Sequence, residues 1–320
     1  MKTLNDKKYL VFSGAAVGIL LLLVIAFNYV VDPYNLLGNN WTGVYFWNER
    51  QVKDAILTYK HEGILLGSSK TGYVNPDDLA CYRFYNSSMR GMLPEEMYFY
   101  LKKYLRNEKL VLIGFDFYMF NEREFPLIRI SDWDDIRYDR VEYLLGVETV
   151  KLSWKTLKMW FNNQKMHGMK NNGQFVYPGS DQIASFTDDE RVLATKYNEI
   201  IRGLARSHYA NFSFSRKRMD YVQAIRELMK KKGITCVVFI NPLNQDVFDM
   251  LQQREAYPVF VVWKQEMKII FPDLYDYSSS RFSARKWYYM DDPYHYTNDA
   301  GKSFLNEMIK DYCTGSSSQP

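Results

Sequence analysis

Residues 9–31 carry no charged side chain and read YLVFSGAAVGILLLLVIAFNYVV. Twenty-three helical residues at about 1.5 Å each reach roughly 34 Å, enough to cross a hydrocarbon core of about 30 Å. Lysines precede this stretch and Asp32 follows it, so the positive-inside rule places residues 1–8 in the cytoplasm. The sequence therefore predicts one transmembrane helix with the rest of the chain outside the membrane.

A cleavable signal peptide is the competing interpretation of this stretch. The stretch is long for the apolar core of a signal peptide, and AFNYVVDPY lacks the small residues of a cleavage site. We therefore expect an uncleaved, single-pass anchor in the cell membrane, followed by a membrane-proximal connector at residues 32–60 that ends in a helix.

The composition of the chain is that of a globular protein. Hydrophobic residues make up 47% and charged residues 24%, which excludes a multi-pass membrane protein and a disordered chain. The net charge is only +4, so a nucleic-acid binder is excluded as well. The histidines never fall at a metal-ligand spacing, and no metal site is predicted. One disulfide among Cys81, Cys236 and Cys313 is possible, and the sequence does not say which two of them would form it.

Apolar runs alternate with helical patterns from residue 61 onward. The predicted strands are 63–67, 82–86, 109–117, 234–241 and 274–278, and the predicted helices are 94–106, 216–232, 245–254, 257–270 and 298–312. Near-continuous apolar strands are typical of parallel sheets that are covered on both faces. The alternation predicts the α/β class, as a three-layer α/β/α sandwich with a parallel sheet.

Two segments do not fit this alternation. Residues 122–187 are rich in Trp, Tyr, Asn and Asp and are expected to be an insertion with one helix near 148–162. Residues 313–320 contain GSSSQ and are expected to form a disordered tail. The sandwich domain is thus predicted to span residues 61–312.

Polar clusters lie where ligands of open parallel sheets bind, beyond the carboxyl ends of the strands. Ser69 follows the strand at 63–67, where a serine is either an exposed nucleophile or an ordinary helix cap. Asp292 precedes His295 by three residues in a turn that contains a proline, so the carboxylate can orient the imidazole. A solvent-exposed loop with an incidental histidine is the alternative there.

Glycine turns supply the third cluster. Arg90-Gly91 follows the second strand and Gly114-Phe115-Asp116 ends the third. Glycine allows a backbone to approach a ligand closely, although each turn alone is weak evidence.

In this chain order the clusters resemble the blocks of the SGNH (GDSL-like) hydrolase superfamily. The matching blocks are Gly67-Ser68-Ser69, Gly91, Gly114-Phe115-Asp116-Phe117, and Asp292 with His295. The resemblance implies a triad of Ser69, His295 and Asp292 and an oxyanion hole that includes Gly91. It extends over residues 61–312.

Two residues depart from the superfamily pattern. Ser68 stands where Asp is usual, as in the envelope-anchored branch that includes the D-alanine transfer protein of teichoic-acid modification. Asp116 stands where an Asn normally donates to the oxyanion, and a carboxylate there would oppose catalysis unless it is protonated, turned away or paired with a cation such as Arg90. Asn121 is the alternative donor, and Arg90 is a candidate for substrate binding.

The resemblance implies an extracytoplasmic serine acyl-transfer enzyme, either an O-acetyltransferase or an esterase, that acts on a cell-envelope or secreted glycan. It implies no cofactor, an acyl donor and a glycan acceptor, and by analogy a multi-pass membrane O-acyltransferase as a partner. The alternative is a non-catalytic SGNH-shaped envelope protein that binds glycan or such a membrane partner.

Overall fold

The computed structural model describes residues 2–44, 46, 56, 57, 59–128, 140–163, 169–176 and 189–313. The chain divides into two compact units, Met1–Val52 with Ile136–Gly168 and Lys53–Asp135 with Met169–Pro320. Most of the predicted helix at the end of the connector, and the predicted disordered tail after residue 313, lie outside the described residues.

Helices and strands are numbered in chain order. The helices are α1 (Lys2–Val31), α2 (Ser69–Gly72), α3 (Pro94–Tyr104), α4 (Arg140–Leu145), α5 (Val147–Phe161), α6 (Glu190–Arg206), α7 (Arg216–Lys232), α8 (Gln245–Gln252), α9 (Ala256–Ile270) and α10 (Asn298–Cys313). The strands are β1 (Gly63–Leu66), β2 (Phe84–Asn86), β3 (Leu110–Phe115), β4 (Thr235–Ile240), β5 (Tyr275–Asp276), β6 (Tyr288–Tyr289) and β7 (Asp292–Tyr296).

The first unit consists of α1, α4 and α5, with α1 packed against both shorter helices. Within α1, Lys8–Val31 is long and apolar enough to cross a membrane. The sequence predicts one helix in the insertion; the structure has α5 there, adds α4, and places both helices in the unit that contains α1.

The second unit is built on a five-stranded sheet with the order β2-β1-β3-β4-β5, and every neighbouring pair is parallel. The five predicted strands correspond to β1–β5, and the five predicted helices to α3, α7, α8, α9 and α10. The predicted α/β fold with a parallel sheet is therefore confirmed.

Side chains from successive strand positions separate onto the two faces of the sheet, as the period of two requires. Ile64, Val111 and Ile113 join the core beneath α3, α7 and α9. Leu65 and Leu112 join a second core beneath α10. Both faces of the sheet are thus covered, which explains why its strands are apolar at consecutive positions.

Two elements differ from the sequence prediction. The segment with Asp292 and His295 is strand β7, paired antiparallel with β6, rather than an irregular turn. Helix α6 falls between residues 188 and 215, where no element is predicted. It buries Tyr197, Leu204 and Ala205. Leu193, Tyr197, Ile201 and Leu204 recur at helical spacing, so the sequence carries an amphipathic pattern that the prediction does not use.

A disulfide joins Cys81, which lies between β1 and β2, to Cys313 at the end of α10. The two Cα atoms are 5.3 Å apart across a sequence separation of 232 residues. Cys236 is the free cysteine. The pairing that the sequence leaves open is thus between the two cysteines that are farthest apart along the chain.

Candidate active site

Ser69 is the first residue of α2, immediately after the turn that ends β1. Ser68 caps this helix, since its hydroxyl accepts the Lys70 N–H at 3.2 Å. Asn86 at the end of β2 donates to the carbonyls of Thr71 and Val74, each at 2.9 Å. The short helix that carries Ser69 is therefore fixed at its start by a serine and beyond its end by an amide from the neighbouring strand.

Close packing requires the glycines at the ends of β1 and β3. A Cβ atom on Gly67 would overlap the Thr71 side chain, and one on Gly114 would lie 2.7 Å from the Phe239 ring. A larger residue at either position would move the turn that presents Ser69. Gly114 thus has a packing role in addition to any approach to a ligand.

Ser69 forms one hydrogen-bonded line with His295 and Asp292, which are distant from it in sequence. Ser69 Oγ lies 2.9 Å from His295 Nε2, and His295 Nδ1 lies 2.6 Å from Asp292 Oδ2. An ionised carboxylate only accepts hydrogen bonds, so Nδ1 carries the proton and Nε2 accepts from the Ser69 hydroxyl. This is the arrangement of a nucleophile, a base and a residue that orients the base.

Asp292 is held in its charged form. Its Oδ1 accepts the N–H groups of Tyr294 at 2.8 Å and His295 at 3.2 Å. Burial acts to raise the pKa of Asp292, but the hydrogen bond and charge of His295 and these two N–H groups outweigh it, so the pKa lies below its usual value.

Aromatic rings enclose the imidazole of His295. Tyr73 and Tyr294 approach it edge-on, with centroids 5.1 and 4.8 Å away and interplanar angles of 87° and 89°. Tyr73 also contacts the rings of Phe175 at 5.8 Å and Tyr289 at 6.5 Å. The rings restrict the orientation of the imidazole and line the site with flat apolar surface.

Ser68, Lys70, Asp116 and Asn241 form a second group, here called the buried polar cluster. Asp116 Oδ2 accepts from Ser68 Oγ at 2.7 Å and from Asn241 Nδ2 at 3.1 Å. Its Oδ1 lies 3.0 Å from Lys70 Nζ, and the two side chains are 2% and 1% exposed.

This cluster changes the role assigned to Asp116. The charge of Asp116 is compensated by Lys70 rather than by Arg90, whose side chain is exposed. Because three side chains engage its carboxylate, we assign Asp116 to the support of the Ser69 turn rather than to the oxyanion hole. The sequence analysis does not include Lys70 among the site residues, although its position directly after Ser69 could have indicated it.

The cluster and the triad meet at Tyr294. Lys70 Nζ lies 4.5 Å from the centroid of the Tyr294 ring, which in turn contacts His295. Tyr296, one residue beyond His295, donates to Asn241 Oδ1 at 2.9 Å. The strand that carries His295 is therefore fastened to the same cluster as the turn that carries Ser69.

Asn121 has a structural role. Its Nδ2 donates to the carbonyl of His208 at 3.1 Å, and its Oδ1 accepts the N–H groups of Ser213 at 3.1 Å and Arg123 at 3.3 Å. These bonds secure the short bridge between Asn121 and Phe214. We therefore leave Asn121 out of the oxyanion hole.

Gly91 lies in a loop that is bonded to the Ser69 turn. Ser87 donates its N–H to Leu65 O at 2.7 Å, and Met89 donates to Gly67 O at 3.1 Å. Gly91 has a φ of +59°, which favours glycine, and no atom lies within 4 Å of where its Cβ would be. Gly91 thus has open space beside its Cα, in a loop that is hydrogen-bonded to the turn before Ser69.

His208 also belongs to this region, and no sequence motif predicts it. Its ring lies 4.7 Å from Tyr118 and 5.7 Å from Tyr294. Burial, and next the positive charge of Lys70, lower the pKa of His208 to about 4. The imidazole is therefore neutral at physiological pH. Within the described part of the chain, His, Cys, Asp and Glu form no group of three or more able to hold a metal ion.

No protein-family model and no curated protein matches the sequence. A solved structure from Streptococcus pneumonia, provisionally named a platelet activating factor, is similar to this chain at 11% identity and a TM-score of 0.41. The similarity covers 93% of this chain and 99% of the other. At this identity and score, the likeness adds nothing to the geometry of the site.

Proposed function

We propose that the chain is a membrane-anchored, extracytoplasmic serine acyl-transfer enzyme that acts on a cell-envelope or secreted glycan. The observation that carries this proposal is the line from Ser69 Oγ through His295 to Asp292, with distances of 2.9 and 2.6 Å. Side chains separated by more than 220 residues meet here with the polarity that a serine nucleophile requires.

In the first half-reaction, Ser69 Oγ attacks the carbonyl carbon of an acyl ester while its proton passes to His295 Nε2. The tetrahedral intermediate then collapses, and the donor alcohol leaves with that proton. Asp292 stabilises the imidazolium in between, since it stays ionised beside it. The product of this step is an acyl ester on Ser69.

In the second half-reaction, an acceptor hydroxyl gives its proton to His295 and attacks the acyl carbon. Ser69 Oγ leaves and takes the proton back. Water as the acceptor makes the protein an esterase, and a sugar hydroxyl makes it an O-acetyltransferase. In both halves the N–H groups of Ser69 and Gly91 are the proposed donors to the oxyanion.

One observation supports a location outside the cytoplasm, and another supports an uncleaved anchor. The Cys81–Cys313 disulfide fits an oxidising compartment. Asn28 at the end of the apolar stretch is fully buried and hydrogen-bonded to residues of α4 and α5. Cleavage of α1 as a signal peptide would remove this contact, so the packing supports an uncleaved anchor.

A glycan acceptor is supported by the aromatic surface around His295. Tyr73 and Tyr289 are partly exposed, and their rings are flat apolar surfaces of the kind that sugars contact. The resemblance to membrane-anchored O-acylation proteins favours the same acceptor. By that analogy we propose a multi-pass membrane O-acyltransferase as the source of the acyl group, and Arg90 as an exposed substrate contact.

The rival proposal is a non-catalytic protein of the same shape. It is favoured by the position of Asp116, where the superfamily has an amide donor and this chain has a carboxylate bound by Ser68, Lys70 and Asn241. On that proposal the site binds a glycan or a membrane partner without forming an acyl ester.

Substitution of Ser69 by Ala is expected to abolish turnover of an activated acetyl ester by the full-length protein in detergent. The loss should be about 10⁴-fold or more, because the attacking atom is removed. Intact-mass measurement should show one acetyl group on the wild type and none on Ser69→Ala. Added oligosaccharide should shorten the life of this acetyl-enzyme if the protein is a transferase.

Ser303→Ala is the matched control, since Ser303 lies on α10 and its hydroxyl donates to the Asp299 carbonyl of the same helix. It should retain full turnover and labelling by a serine-directed phosphonate. Turnover that survives in Ser69→Ala would contradict the triad proposal. A wild type that neither turns over the ester nor reacts with the phosphonate would favour the non-catalytic rival.

A further inference from the structure

Helix α5 has an exposed apolar face. Val147, Val150, Trp154, Leu157 and Phe161, here called the apolar stripe, are spaced by three and four residues and so share one side of the helix. Val147, Trp154 and Phe161 are 70%, 64% and 74% exposed. An apolar stripe normally faces the core of a protein, whereas this one faces outward.

The residues that α5 does bury are small and polar. Thr149, Ser153 and Thr156 are its buried positions, and Ser153 donates to Asn28 of α1 at 2.9 Å. The packing of α5 in the first unit thus uses its polar side. Hydrophobic burial within the first unit therefore does not explain the apolar stripe.

Asn28 fixes the position along α1 at which α4 and α5 pack. This amide lies three residues before the end of the apolar stretch, is fully buried, and donates to the Leu144 carbonyl at 2.9 Å. A polar side chain inside an apolar span must find its hydrogen bonds within the protein. Residues Leu144 and Ser153 supply them, so α4 and α5 meet α1 at the outer end of the span.

The apolar surface continues from α1 onto α5 without a break. Trp154 of the stripe contacts Phe27 of α1, with ring centroids 5.4 Å apart. Residues of α1 such as Phe12, Leu22 and Leu23 are 62% to 73% exposed. The surface that a bilayer would cover on α1 therefore extends sideways along the stripe.

Lysines and tryptophans flank the stripe in the manner of an interfacial helix. Lys151, Lys155 and Lys158 form an exposed row on α5 beside the stripe. Trp160 at the end of the helix packs against Trp41, with centroids 4.9 Å apart. Lysines favour anionic headgroups, and tryptophans favour the boundary between headgroups and acyl chains.

We propose that α5 is an interfacial lipid-binding helix. Its apolar stripe enters the outer leaflet beside α1, and its lysine row contacts the phosphates of anionic lipids. The protein would then be held by a spanning helix and a surface helix together. This inference rests on the proposed membrane anchoring by α1, and it goes beyond that proposal by assigning a lipid site to a separate segment of the chain.

The test places a nitroxide label at residue 161 of the full-length chain in vesicles of phosphatidylcholine with an equimolar share of phosphatidylglycerol. The Phe161→Cys label is compared with an Ile269→Cys label on α9, since the two native side chains are 74% and 76% exposed. Both are made in a Cys236→Ala background. The label at 161 should collide more often with lipid-soluble oxygen than with a water-soluble nickel chelate, and the label at 269 should show the reverse.

Flotation of the vesicles distinguishes membrane anchoring by α1 from lipid binding by α5. Protein that floats while the label at 161 is as accessible to the chelate as the label at 269 overturns the lipid site and leaves the anchor intact. Protein that does not float overturns the anchor itself. A label at 161 that is shielded from both reagents, with spin–spin broadening, assigns the stripe to a second copy of this chain and overturns the lipid site.

The lysine row is tested by the triple variant Lys151→Gln, Lys155→Gln and Lys158→Gln. Each lysine near an anionic surface should favour docking by about fivefold. In the mixed vesicles the triple variant should therefore lie only as deep as the unsubstituted chain does in phosphatidylcholine alone. Equal depth of the two proteins in the mixed vesicles would remove anionic lipid from the proposal.

Discussion

Two neighbouring clusters in the second unit each pair a carboxylate with a nitrogen-bearing side chain. In the triad, Asp292 pairs with His295, and the two side chains are 11% and 18% exposed. In the buried polar cluster, Asp116 pairs with Lys70, and both are almost fully enclosed. The pair that a substrate can approach contains the imidazole that faces the Ser69 hydroxyl, and the enclosed pair contains a lysine that is bound to its carboxylate.

This difference suits the triad to catalysis and the buried polar cluster to structural support. A base must reach its substrate and must be able to gain and lose a proton, which suits a partly exposed histidine. A buried ion pair must stay complete, because removing one partner leaves the other charged without compensation. We therefore expect substitutions in the triad to reduce rate with little loss of stability, and substitutions in the buried polar cluster to reduce stability first.

The largest expected effect is on rate, from His295→Gln. Turnover of an activated acetyl ester should fall by about 10⁴-fold, because Ser69 loses the base that takes its proton. The free energy of unfolding should change by only about 1 kcal/mol, since Asp292 keeps its backbone N–H bonds. Ester kinetics and thermal unfolding of the full chain measure the two quantities. A variant that unfolds before it loses rate would erase the distinction between the clusters.

The next effect is on stability, from Lys70→Met. Loss of the ammonium leaves Asp116 charged and buried, which should cost about 3–5 kcal/mol in the free energy of unfolding. The double variant Lys70→Met with Asp116→Asn should recover most of that loss, and denaturant unfolding of the four proteins gives the coupling energy.

Lys109→Met is the matched control for Lys70. Its partner is Glu62, and the two side chains are 58% and 44% exposed, so solvent screens the pair and the loss should be much smaller than for Lys70→Met. Equal losses for Lys70→Met and Lys109→Met would mean that burial of the Lys70–Asp116 pair carries no special cost.

A smaller effect is expected from His208, which lies beside both clusters. Its pKa is lowered to about 4 in the folded chain, so between about pH 6.5 and pH 4 the unfolded state binds a proton that the folded state does not. As the pH is lowered through this window, the free energy of unfolding should therefore decrease by about 1.4 kcal/mol per pH unit. His208→Gln should remove this dependence, as measured by denaturant unfolding across the window.

His61→Gln is the control of opposite sign. Burial acts to lower the pKa of His61, but its bonds to Glu108 and to the Tyr59 carbonyl outweigh burial and raise it. The stability from His61 is thus present below pH 6.5 and is lost as the pH rises through the raised value. If His208→Gln and His61→Gln changed the slope of the free energy of unfolding against pH in the same direction, these assignments would be contradicted.

Much of the sandwich could be predicted because its strands are buried on both faces. Residues 109–117 and 234–241 are apolar at nearly every position, and the strands β3 and β4 lie there side by side. Helix α6 also carries a helical pattern, with Leu193, Tyr197, Ile201 and Leu204 on one face. Most of its other residues are exposed, so this pattern is a narrow row that is less evident than a continuous apolar strand, and the sequence analysis assigns no element to it.

The order of the polar clusters along the sequence, compared with the blocks of a known superfamily, was enough to nominate Ser69, Asp292 and His295, whereas each cluster alone left an ordinary structural alternative open. The sequence also determined the apolar stretch of α1, since a run without charge needs no tertiary contact to be recognised. Only the tertiary structure decided which cation meets Asp116, that Asn121 bonds to backbone groups, and that the apolar stripe of α5 faces outward. These outcomes depend on which side chains share a buried space, and that is set by packing rather than by position along the chain.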